Sequence, residues 1–152
     1  MTNPLTFPDV TPRFGLPMLY AGQAQKEVTV NEAFAAADLL LQPAVLGERP
    51  DPPLTPATGD TWLVGAGATG DWAGHDGALA GWTGGGWRIV APQAGMRVFD
   101  TTSAAFRLFN AAWSTPANPV PPQGGAIIDN EARQAIGDIV ARLKEAGVFS
   151  AI

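Results

Sequence analysis

The chain has 152 residues, a formal net charge of −5 and no cysteine. That length admits one domain with a core of its own, or a small core with arms. The missing thiols exclude disulfides and thiolate metal sites, and with Lys26 and Lys144 as the only lysines the charge balance argues against duplex DNA as a partner.

Charged residues make up 15% of the chain against 46% hydrophobic. The surface is therefore rich in Ala, Gly, Pro and Thr, and a surface short of charge is weakly protected against association, so assembly into something larger is expected. The opening residues MTNPLTFPDVTPRF carry neither a basic n-region nor an apolar h-region, so no secretory signal is expected. No apolar run approaches the roughly 18 residues of a membrane span; the longest, Ala33 to Leu41, is interrupted by Asp38. The chain reads as soluble, made in the cytoplasm and not inserted in membranes.

Residues 1–21 carry Pro4, Pro8, Pro12 and Pro17, a spacing that forbids a helix and favours an extended arm. Phe7, Phe14 and Leu16 give that arm apolar contacts, against its own domain or against a neighbouring subunit. Residues 22–42 read as a helix. Thr29-Val-Asn-Glu32 has the capping-box pattern, Ala and Leu dominate the residues after it, and Pro43 stops it. Val30, Phe34, Ala37 and Leu41 share one face, expected either to pack on a sheet or to form a seam between identical subunits. The five prolines of residues 43–58 predict a stiff connector.

Residues 59–113 form the expected β domain. Gly59 to Pro92 holds Trp62, Trp72, Trp82 and Trp87, each close behind a glycine. Short strands between glycine turns at this spacing predict a small antiparallel meander, as a sheet or partial barrel, with an indole cluster as its core. Met96 to Phe99 and Ala105 to Phe109 predict two further strands joined by an Asp100–Ser103 turn, their aromatics joining the same core. Residues 114–126 read as a second Pro/Gly linker. Residues 127–152 hold a helix with Asp129 as N-cap, Gly147 as the stop, and an apolar stripe of Ala132, Ile136, Ile139, Val140 and Leu143. The class is α+β: a tryptophan-rich meander with an N-terminal arm and helix and a C-terminal helix.

Three blocks resemble a family met in prophages and gene transfer agents. They are Thr11-Pro-Arg-Phe-Gly-Leu-Pro17 running into Gly22-Gln-Ala-Gln-Lys-Glu-Val-Thr29 and Asn31-Glu-Ala33; Gly59-Asp-Thr-Trp62 through Trp87-Arg-Ile-Val-Ala-Pro92 to Gly95-Met96; and Ile128-Asp129 with Glu131-Ala-Arg133. The resemblance implies a component of a phage-like particle, in its head spikes or tail fibres, that helps attach the particle to a host surface such as capsular polysaccharide. It carries no catalytic residues. In larger fibre proteins such a domain precedes long β-structured regions, so a chain ending at Ile152 suggests a base or connector, docked on a capsid or fibre protein as a homo-oligomer, a trimer or a pentamer.

The chemistry is sparse. His75 is the only histidine, so no two-histidine metal site exists, and neither metal nor cofactor is expected. Asp60, Asp71 and Asp76 could supply the carboxyl pair of a glycosidase, but Asp after Gly commonly serves turns, and no enzyme is expected. Sugar rings stack on exposed indoles. Trp72 beside Asp71, His75 and Asp76 is the best platform of that kind, with Trp82 second. The two readings to weigh are a structural particle component and a carbohydrate-binding module.

Overall fold

A computed structural model describes residues 9–22 and 25–150, so Phe7 lies outside the described residues. Among the described residues, two helices and two mixed four-stranded sheets are distributed over two compact units. The first unit comprises the described residues up to Pro43 and Glu48–Pro92; the second comprises Ala44–Gly47 and the chain from Gln93 onward.

In the first unit, α1 (Lys26–Leu40) precedes a sheet of β2 (Glu48–Arg49), β3 (Thr61–Val64), β4 (Leu79–Thr83) and β5 (Gly86–Val90). Strands β3, β4 and β5 are the expected meander, antiparallel throughout, with Trp82 opposite Trp87 across the β4–β5 hairpin. β2 adds a parallel edge on β3. Alternation along a strand sends neighbours to opposite faces. Trp62, Val64 and Ala80 take one face and join Trp72 and Ala78 in a buried cluster flanked by Trp87 and Ile89. On the other face of β4, Gly81 lies so close under Leu39 of α1 that a Cβ there would sit 2.8 Å from Leu39 Cδ1.

The capping-box expectation is corrected: α1 begins at Lys26, after Gln25 in a left-handed conformation, which puts Thr29 inside the helix. Glu32 pairs instead with Arg88 of β5, and the Gly22 N–H ahead of the helix donates to Glu27 Oε1 at 3.1 Å. The inward stripe is also rotated from the predicted one. It runs through Ala35, Asp38 and Leu39, all buried, while Val30 and Phe34 are half-buried and Ala37 and Leu41 are exposed. A carboxylate lies at the centre of that stripe because the arm satisfies it. Thr11 Oγ1 donates to Asp38 Oδ1 at 2.7 Å, the Phe14 N–H to Oδ1 at 2.8 Å and the Arg13 N–H to Oδ2 at 2.9 Å. The Arg13 guanidinium then closes the helix C-terminus, donating to the carbonyls of Asp38, Leu39, Leu41 and Gln42. Burial lowers the Arg13 pKa from its ordinary value, and Asp38 partly offsets that. The described part of the arm is thus a folded loop rather than an extended strand, pinched by a Val10–Pro17 bridge and seated on its own helix. Leu19 and Asn31 add a two-way amide contact, at 2.8 and 3.0 Å.

The second unit's sheet orders β1 (Ala44–Val45), β6 (Arg97–Asp100), β7 (Ala105–Asn110) and β8 (Ala112–Ser114). β6 to β8 are antiparallel, and β1 pairs parallel with β6. Two expectations fall here. The aromatics after Met96 do not join the indole core; Phe99 and Phe106 pack on each other at 5.2 Å in their own sheet, with the Arg97 guanidinium over the Phe106 ring. Nor is 43–58 only a connector, since it supplies a parallel edge strand to each sheet. Leu46 and Gly47 alone separate the two strands, and Gly47 turns with φ of 126° where a Cβ would stand 3.1 Å from Thr102 Oγ1. The Asp100–Ser103 turn is where it was expected: Asp100 accepts from the Thr102 N–H at 2.9 Å and, fully buried, holds Arg107 Nε at 2.8 Å.

α2 (Asn130–Glu145) has the expected ends. Asp129 accepts from the Ala132 N–H at 2.8 Å. At the other end the Gly147 N–H bonds the Lys144 carbonyl and the Val148 N–H bonds that of Leu143, both at 2.9 Å, with Gly147 at φ 71°; this is a Schellman closure. The stop is also an anchor. Gly147 fits against Phe99 and Phe106, its carbonyl accepts from the Phe106 N–H at 2.7 Å, and Ser150 Oγ reaches the Ser103 carbonyl at 3.2 Å. Between those ends no residue of α2 is buried.

Candidate functional site

The loop Gly65–Ala78 connects β3 to β4 and carries most of the predicted sugar-contacting residues. A 3-10 turn, Gly70–Trp72, drives the Trp72 side chain inward. Its ring stands 4.9 Å from Trp87 and 6.3 Å from Trp62, tilted or edge-on, and Trp82 lies 4.9 Å from Trp87 on the far side. Tilted contacts of this kind suit indole quadrupoles and add to burial.

The expectation that Trp72 offers a stacking platform is corrected. Its exposure is 0% and it is the hub of the core. The three-residue turn aims the side chain under the loop, so a glycine-rich neighbourhood did not mean an exposed ring. Its indole N–H is buried without a hydrogen-bond partner among the described residues, a cost of about 1–3 kcal/mol that the packing must outweigh. Trp82 stays half-exposed on the hairpin.

The polar members of the predicted group do share this loop. Asp71 and His75 are exposed, and the His75 N–H donates to the Trp72 carbonyl at 3.0 Å. The Asp76 carboxylate accepts from the Gly67 and Ala68 N–H groups, both at 2.9 Å. Those bonds favour the charged form and hold its pKa below the ordinary 3.8. Asp60 likewise serves a turn, accepting from the Ala57 N–H at 2.9 Å. Asp60 and Asp76 are therefore turn-closing groups. Among the described residues no group of three or more acidic or histidine side chains is placed to share a metal ion, and no helix is long and apolar enough to cross a membrane.

A second concavity escaped sequence reading because it is made by three separate segments. A cavity of about 400 Å³ opens between the arm (Val10, Met18), α1 (Asn31, Ala35) and the β4–β5 hairpin (Thr83, Gly84), with the Glu32–Arg88 pair on its wall. The expected oligomer contacts are scattered. Phe14 and Leu41 are 49% and 46% exposed, and Leu16, Val30 and Phe34 are half-buried.

An indole-centred meander carrying one helix, together with a second small sheet carrying another, defines an α+β chain whose polar loop groups mostly close turns. Its family is given by comparison of the sequence: residues 30–114, more than half of the chain, match the family described as "Protein of unknown function (DUF2793)", and the chain belongs to that family. The match spans most of α1 and all eight strands and stops short of α2. No curated protein and no solved structure matches the chain.

Proposed function

We propose that this chain is a structural component of a phage-like particle, from a gene transfer agent or a prophage. It is made in the cytoplasm, carried on the particle surface, and serves as the base of a head spike or fibre that supports attachment to the host. The observation that carries the reading is α2, which is anchored at its C-terminal end and buries none of its residues in its own chain. A helix of this length is marginal alone in water, so a partner is called for, and the low surface charge supports the same conclusion. The resemblance of the Thr11–Ala33, Gly59–Met96 and Ile128–Arg133 blocks to particle proteins supports the setting. No catalytic role is assigned. The test is a quantitative peptide count on purified particles, with and without the gene: the reading expects the chain in fixed stoichiometry and a loss of host adsorption on deletion. Particles that lack the chain, or adsorb normally without it, would sink the reading.

A second reading, a module that contacts capsular polysaccharide directly, is favoured by exposed Asp71 and His75 and half-exposed Trp82 on one unit. Titrating polysaccharide while following indole fluorescence tests it. Quenching that disappears in Trp82→Ala supports the module, and an unchanged spectrum rejects it.

A further inference from the structure

We propose that α2 is the seam that joins copies of this chain, as a parallel three-stranded coiled coil. The proposal rests on the reading of the chain as an assembly component and names the element and the stoichiometry. Ala132, Ile136, Ile139 and Leu143 succeed one another at spacings of four, three and four, the a/d repeat of a coiled coil with Ile136 and Leu143 at a and Ala132 and Ile139 at d. Ala135 and Val140 flank that line at g and e and widen the apolar face. The opposite side of the helix carries Gln134, Asp138, Lys144 and Glu145. In the single chain Ala132 and the two isoleucines of the seam are exposed, Ile136 by 46% and Ile139 by 59%, while Leu143 is half-buried.

The residue types select the occupant. Ile at both a and d, and Leu at a beside Ile at d, shift coiled coils away from two strands toward three or four. Three helices related by a three-fold axis run parallel. In that register Ala135 of one copy faces Val140 of the next and Arg142 faces Gly147, so no like charges oppose each other across the flanks. One other occupant is at hand within the chain, the proline strap 119–122, whose carbonyl at Pro122 accepts from Arg133. The strap borders a cavity of about 250 Å³ that Ile136 and Val140 also line, so it overlies one edge of the seam and must move off it when copies join, while Ile139 is open already.

A helix of 16 residues gives about two heptads, a weak seam, so mass should depend on concentration. Sedimentation or light scattering of the full chain is expected to approach three times 15.8 kDa when concentrated and one chain on dilution. Ile139→Asp should raise the dissociation midpoint by about 100-fold or more while leaving the thermal melt of the diluted chain in place, because Ile139 makes little of that chain's own packing. The double swap Ile139→Leu with Leu143→Ile keeps the apolar volume, restores Ile at a with Leu at d, and should move the mass from three chains to two. A wild-type chain that stays monomeric throughout, or an oligomer indifferent to Ile139→Asp, overturns the seam. Neither result bears on the particle reading, which fails only if the chain is missing from particles or dispensable for adsorption.

Discussion

Asp38 looks, in sequence, like a flaw in an apolar helix. In the fold it is the point at which the arm is fastened. Three donors converge on its carboxylate, and hydrogen bonds to a buried charge contribute about 1.5–3 kcal/mol each, though not additively. Asp38→Ala should therefore cost about 3 kcal/mol or more in urea unfolding. Asp38→Asn, which keeps one acceptor, should cost clearly less, and equal losses would mean that the arm is held elsewhere. Asp76 makes a different prediction. Its folded pKa lies below its unfolded value, so its contribution is complete above the ordinary aspartate range and disappears as pH falls through the folded value. The protection of the Gly67 and Ala68 amides, taken relative to their intrinsic exchange rates, should persist through the ordinary aspartate range and fall only at lower pH. Asp76→Asn should remove that pH dependence, and a wild-type loop indifferent to acid would show that the carboxylate does not close it.

At the scale of elements, Gly81 states the fit of α1 on the sheet most sharply. A Cβ there would meet Leu39 at 2.8 Å, and overpacking of this kind costs about 1–3 kcal/mol. Gly81→Ala should show that loss in a thermal melt, and the loss should vanish or reverse in a Leu39→Ala background, where the space is open. Additive effects would mean that helix and sheet are not in register as described. The elements differ in how far sequence alone disclosed them. Both ends of α2 were legible because Asp129 and Gly147 act locally, and the antiparallel meander was legible because glycine turns separate its tryptophans at strand spacing. The start of α1 was not, since the capping-box residues are used elsewhere: Glu32 is drawn to Arg88, which lies far along the chain. Nor was the depth of Trp72, which depends on a three-residue turn that spacing does not encode. The strands β1 and β2 were hidden among prolines because two-residue strands leave no alternation to read. The candidate sugar loop was legible as a loop, while the cavity on the first unit, built by three distant segments, was not.

For the whole molecule, the informative feature is that β1 and β2, separated only by Leu46 and Gly47, serve different sheets. A ribosome delivers Val45 long before Asp100, its partner in the ladder. Until β6 emerges, the later sheet's first strand exists with nothing beside it, while the first unit can already close. The boundary between the units consequently corresponds to no single cut in the gene. A fragment ending at Pro92 retains an orphan strand with free backbone donors and acceptors, the kind of edge that recruits other chains. It should precipitate or scatter light under conditions where the full chain is clear, and deleting residues 44–47 from it should restore solubility. The matching fragment from Gln93 onward lacks its outermost strand and should regain order when the missing residues are grafted back through a short loop. Whoever exchanges this module between larger proteins inherits the same constraint: residues 44–47 must travel with the second sheet and not with the first.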